Sequence, residues 1–174
     1  WKLGSRDINI LVLAVITRRF RVPLMWSFLA HGGSSDHKLR RDLMDRFLRL
    51  FGAQQIAFLL ADREFIGGKW LQYLIKNHIP FAIRLKSSMY LHRETGPVVQ
   101  LSSLLRTPRG PKVWTGWLAD MPRDEDHKLT LKCKRIKTDE ALIIATNTGN
   151  PDRAFGMYRK RWGIECLFAD AKSR

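Results

Sequence analysis

Residues 8–15 are almost continuously apolar and β-branched, interrupted only by Asn9. That pattern predicts a strand buried on both faces of a sheet. Arg18, Arg19 and Arg21 then form a polar turn, and residues 22–29 read as a second strand paired with the first, Pro23 favouring an edge position at its start. His31-Gly32-Gly33-Ser34-Ser35-Asp36 is a loop ending in N-cap residues, with an acid at the first helical turn. A helix follows: Leu39, Leu43, Phe47 and Leu50 recur at steps of four, four and three, Lys38, Arg40, Arg41, Arg46 and Arg49 take the other faces, and Gly52 stops it.

The wholly apolar run 56–60 has the character of a central parallel strand, and it ends at Ala61-Asp62-Arg63-Glu64-Phe65. Gly67-Gly68 breaks the chain before a second amphipathic helix over 69–77, whose apolar face is Trp70, Leu71, Leu74 and Ile75. Residues 80–84 return as a strand. Strand, helix and strand with buried strands predict an α/β fold, a mixed sheet flanked by helices. From 87 to 138 the pattern shortens between Gly96-Pro97, Pro108-Arg109-Gly110-Pro111, Gly116 and the acidic turn 120–126. Strands at 113–118 and 129–136 make this a mostly antiparallel insertion. The last part holds another buried strand, 141–146, and, after Asn150-Pro151-Asp152, a long basic helix over 154–172. The expected organisation is therefore a core of 1–86, an insertion of 87–138 and a return to the core over 139–174.

Charge changes the picture more than size does. Lys and Arg number 31 against 16 Asp and Glu, a formal charge of +15 over 174 residues, and the isoelectric point is near 10.5. Such a balance points to a polyanionic partner. The 45% apolar and 10% aromatic content supplies a real core and excludes a disordered basic tail. The apolar run 8–16 falls far short of the roughly 20 residues needed to span a bilayer, and residues 1–7 lack the regions of a secretory signal. A cytoplasmic protein without membrane contact, beginning within a longer chain, is the expectation. Cys133 and Cys166 form no Cys-x-x-Cys pair, which argues against disulfides and zinc.

Candidate chemistry concentrates in the final helix. Tyr158, Arg161, Glu165 and Lys172 fall within roughly 60° of one another at about 100° per residue, a stripe about 21 Å long. Spacing alone favours an ordinary amphipathic surface helix in which Arg161 and Glu165 make an i,i+4 ion pair. Asp62 shifts the balance, because it stands at the carboxyl end of a buried strand, where open α/β sheets gather their active-site groups. By itself Asp62 is equally a loop or capping residue. Glu64 is expected in a surface ion pair, and the five histidines have no metal-ligand spacing. Gly32-Gly33-Ser34-Ser35 lacks the Lys-Ser/Thr ending of a P-loop. The basic strand from Lys132 to Lys137 is either a DNA contact or a solvated sheet face.

Tyr158-x-x-Arg161-Trp162-x-Ile164-Glu165-x-x-Phe168-x-x-x-Lys172 resembles the tyrosine-arginine-glutamate-lysine (YREK) motif of bacterial insertion-sequence transposases of the DDE class. Ala61-Asp62-Arg63-Glu64-Phe65 resembles the segment around their second catalytic aspartate, and Trp1-Lys2-Leu3-Gly4 with Ile8-Asn9-Ile10-Leu11 resembles their first β-hairpin. The likeness extends over nearly the whole chain. It implies an RNase H-like fold with a β-rich insertion before the glutamate-bearing helix, and a bacterial, nucleoid-associated enzyme of DNA transposition and recombination. By position, Asp62 matches the second carboxylate of the triad and Glu165 the third, both metal ligands, while Tyr158, Arg161 and Lys172 match residues that engage transposon-end DNA.

The resemblance further implies a two-metal site for Mg²⁺, with Mn²⁺ as substitute. Its partners are double-stranded DNA, as inverted-repeat ends and target, and a homodimer in a synaptic complex. The family's first aspartate lies on a strand upstream of the Trp-Lys segment, so the chain is expected to be a fragment lacking that strand and inactive alone. The alternative is a catalytically inactive DNA-binding remnant of a transposase.

Overall fold

A computed structural model describes residues 2–3, 6–29, 35–105, 113–137 and 140–172. They gather into two compact units, Trp1–Gln55 with Arg159–Arg174, and Ile56–Tyr158. The His31 to Ser34 loop and the Pro108 to Pro111 break lie outside the described residues.

In the first unit, β1 (Lys2–Leu3) and β2 (Arg6–Asp7) form a small antiparallel ribbon. A longer hairpin pairs β3 (Asn9–Ile16) with β4 (Arg21–Leu29), as the alternation predicted, with an irregularity at Leu13/Ala14. One face of that hairpin, with Leu11 and Met25 buried, is its packed side. The other carries Trp26 and Phe28, which are exposed. The expectation of burial on both faces of 8–15 is thus corrected: β3 pairs only with β4 among the described residues and most of its positions are half-buried. Helix α1 (His37–Phe51) buries Leu43, Met44 and Phe47 on one stripe. Asp36 is its N-cap rather than a first-turn residue, its Oδ1 accepting from the Leu39 N–H at 2.8 Å, and Gly52 ends the helix at a φ of 79°. Leu50, placed by spacing on the apolar stripe, is exposed. Helix α4 (Trp162–Lys172) meets the hairpin end at Gly163, where a Cβ would lie 2.8 Å from Ile16 Cγ2.

The second unit is a mixed sheet of seven strands among the described residues. β5 (Leu59–Ala61) runs parallel to β6 (Phe81–Arg84), and helix α2 (Gly68–Lys76) makes the crossover between them. The order continues through β11 (Glu140–Thr146), β10 (Leu129–Lys137), β9 (Val113–Leu118), β7 (Tyr90–His92) and β8 (Val99–Gln100), all antiparallel neighbours. The short strands β7 and β8 were not anticipated; at three and two residues they are too brief to show an alternation. The mixed sheet with flanking helices agrees with the α/β fold expected.

The apolar run 56–60 predicts a central strand, whereas among the described residues β5 stands at the edge of the sheet with half-buried residues. Apolar composition reports burial by any neighbour, and here helix α3 (Pro151–Tyr158) supplies it: Ala154 and Tyr158 pack with Ala82 and Ile144, and Phe58, Leu60, Leu142 and Phe155 close around them. Asn147 ties β11 to β6 by accepting from the Phe81 N–H and donating to the Ile79 carbonyl. Helix α2 begins at glycines and has no cap of its own, so Asp120 supplies one from 52 positions away, its Oδ2 accepting from the Gly68 N–H at 2.5 Å.

The long helix expected over 154–172 is two helices. α3 ends at Tyr158, a 3₁₀ turn takes Arg159–Arg161, and α4 follows. A 3₁₀ turn advances about 120° per residue rather than about 100°, so the stripe of one continuous α-helix does not carry across this turn. The turn coincides with the passage from one compact unit to the other. No helix among the described residues is long and apolar enough to cross a membrane.

Candidate active site

Asp62 follows the last residue of β5, at the carboxyl end of a strand, as its sequence position predicted. Its backbone carbonyl accepts from the Phe65 N–H at 2.9 Å and its Oδ1 from the Arg63 N–H at 2.8 Å, so the side chain is folded over the turn that it begins. The same Oδ1 accepts a hydrogen bond from the Tyr158 hydroxyl at 3.3 Å, across 96 positions of sequence. Tyr158 is 6% exposed, with its ring in the apolar cluster under α3 and its polar tip on the carboxylate. An aromatic ring with one wet end suits such a place. Glu64 stands exposed in the turn beyond Asp62.

Arg161 and Glu165 belong to the other unit. Arg161 Nη2 lies 2.6 Å from Glu165 Oε1, an i,i+4 ion pair whose side chains are 18% and 40% exposed. Of Lys172 the backbone ends α4, and its side chain lies outside the described residues. Trp162, between the motif residues, is one of the most exposed aromatic side chains at 63%.

The structure thus joins Asp62 to Tyr158 and Arg161 to Glu165, and it divides the two pairs between the two compact units. The resemblance assigns Tyr158 to transposon-end DNA; its hydrogen bond to Asp62 is a contact that the sequence did not show. The available signal was an aromatic residue whose helical neighbours, Ala154 and Phe155, are apolar.

A family model described as a transposase DDE domain matches residues 10–174. The chain belongs to the transposase DDE domain family. No curated protein sequence matches it. DDE transposases generally use divalent metal ions such as Mg²⁺. In this DDE domain the side chains suited to such a hard cation are carboxylates, and Asp62 and Glu165 fit it in donor type. Among the described residues no three His, Cys, Asp or Glu side chains gather into one group.

Proposed function

We propose that this DDE domain is part of a bacterial insertion-sequence transposase that cleaves DNA at the ends of its element and joins them to a target. The observation that carries this reading is the Tyr158–Asp62 hydrogen bond. It brings together two sequence segments that resemble separate motifs of the same enzyme class, on a strand end suited to catalysis. Asp62 and Glu165 would hold the metal. When bound, Mg²⁺ supplies stabilisation of the negative charge on the attacking and leaving oxygens of the phosphodiester.

The chain's own residues perform the remaining work. Tyr158 and the Arg63 N–H restrain the Asp62 carboxylate, so that its rotamer is set before substrate arrives. Arg161 steadies Glu165, and a guanidinium is the group that matches a phosphate of the element end in charge and planar geometry. Lys172 adds a point charge to the same DNA track. A third carboxylate, on a strand N-terminal to Trp1, completes the triad in this proposal. Consistent with a further strand, β5 has one strand neighbour among the described residues. The region 87–138 is read as the insertion that brings additional strands to the core sheet.

Nicking of supercoiled DNA bearing the element's ends tests the proposal. The protein extended upstream through its native reading frame should nick with Mg²⁺ or Mn²⁺, and the 174-residue chain should not. Glu165→Gln and Asp62→Asn in the extended protein should each reduce nicking by at least about 100-fold, as expected when a group that positions reacting atoms is lost. Nicking that survives both substitutions would place the active site elsewhere. Tight DNA binding without cleavage by the extended protein would instead establish a non-catalytic remnant.

A further inference from the structure

The turn of the β3–β4 hairpin carries Arg18, Arg19, Phe20 and Arg21 in succession, and all four are exposed. Three guanidinium groups within four residues repel one another, and Phe20 keeps 54% of its surface in water. Neither feature helps the hairpin fold. Yet the turn itself is built rigidly. The Thr17 N–H donates to the Phe20 carbonyl at 2.9 Å, the Thr17 hydroxyl donates to the same carbonyl at 3.1 Å, and Thr17 Oγ1 accepts from the N–H groups of Arg19 and Phe20 at 3.1 and 3.0 Å. One threonine side chain therefore closes the loop that presents the four side chains.

The helix beside it adds to the preorganisation. At Gly163 of α4 a Cβ would lie 3.3 Å from Arg21 Nε, so the glycine lets the Arg21 side chain lie against the helix. Leu167 and Asp170 of α4 complete a polar-lined cavity of about 200 Å³ with the turn residues Thr17 to Arg21. Asp170 is the acidic group that faces this cavity. One carboxylate against three guanidinium groups leaves a local surplus of positive charge.

We infer that this hairpin tip is a second contact for duplex DNA, separate from Arg161 and Lys172, in which the three arginines take backbone phosphates and Phe20 meets a sugar or base edge. The inference rests on the reading of the protein as acting on DNA and deepens it by locating an additional binding surface. Guanidinium forks match phosphate oxygens in geometry as well as charge. A two-stranded ribbon has the width to approach a DNA groove, and an exposed apolar side chain among arginines is the composition of a surface that inserts beside bases. A rigid turn loses less conformational freedom on binding than a floppy basic loop would.

The test is fluorescence anisotropy of a labelled DNA duplex titrated with the 174-residue chain over a range of salt. Arg18→Ala/Arg19→Ala should weaken binding roughly tenfold or more at low salt and flatten the plot of log K against log salt by about 1.8, two phosphates at about 0.9 each. The double lysine variant at the same positions should retain most of that slope. Phe20→Ala should weaken binding at least about fivefold with the slope unchanged. Circular dichroism and melting temperature should match the parent in every variant, since the substituted side chains are exposed. Unchanged affinity and slope in the alanine pair, with the parent binding well, would overturn this inference alone. A parent chain without affinity for DNA would overturn it together with the proposed function. An equal loss on RNA or heparin as on duplex DNA would reject the DNA groove contact in favour of general polyanion attraction.

Discussion

Tyr158 holds two positions at once, in an apolar cluster through its ring and on Asp62 through its hydroxyl. Tyr158→Phe keeps the ring and removes one long hydrogen bond, so its expected cost is about 0.5–1.5 kcal/mol, read by urea unfolding. Metal-dependent nicking by the extended protein should fall further than stability alone explains, because the carboxylate rotamer is released. A variant as stable as the parent would show that the hydrogen bond to Asp62 adds nothing to folding stability. Cys133 offers a second residue-scale check. Burial pushes its thiol up to about 12. The thiol of the unfolded chain ionises first as pH rises, so the stability contribution is complete below the ordinary thiol range and is lost as pH climbs from there toward the folded value. Iodoacetamide at mildly alkaline pH should label Cys166 in the native protein and Cys133 only on unfolding, and equal labelling would refute the burial.

At the scale of elements, caps and turns decide where the periodic segments stop. Asp36→Ala removes the N-cap of α1 and should cost about 1 kcal/mol, measured as a lower urea midpoint. Gly116 lies within β9 at a φ of 154°, and a Cβ there would overlap the carbonyl oxygen of His92 in β7. Gly116→Ala should therefore destabilise by more than about 1 kcal/mol, and hydrogen exchange should quicken first at the β7–β9 pairing. Helices α1 and α2 were legible because each repeats its apolar positions over two or more turns. The break at Arg159–Arg161 was not, since Arg and Lys are good helix formers and nothing local opposes a continuous helix there. Packing on either side opposes it: Tyr158 is anchored under the sheet of one unit and Gly163 against Ile16 of the other.

For the whole molecule the dominant quantity is the charge of +15. Binding to DNA should fall steeply with salt, by about 0.9 in log K per log unit of salt for each phosphate neutralised. Arg161→Ala should weaken binding to element ends and reduce that slope by about one phosphate equivalent. Because Arg161 also pairs with Glu165, the Arg161→Lys variant is informative: it should recover much of the slope and less of the nicking. If neither variant alters affinity, Arg161 is not part of the DNA track.

Local pattern and composition are enough to read the secondary elements with strong periodicity, the basic hairpin turn, the excess of positive charge and the spacing of Asp62 and the Tyr158 to Lys172 motif. Each is a property of neighbouring residues or of composition, and short-range sterics and hydrophobic period suffice to read it. Long-range packing places β11 between β6 and β10, leaves β5 at the edge of the sheet among the described residues, sets Asp120 as the cap of α2 and brings the Tyr158 hydroxyl to Asp62. These arrangements join residues tens of positions apart, where the selecting forces are hydrogen-bond satisfaction and packing among surfaces whose partners no local pattern names.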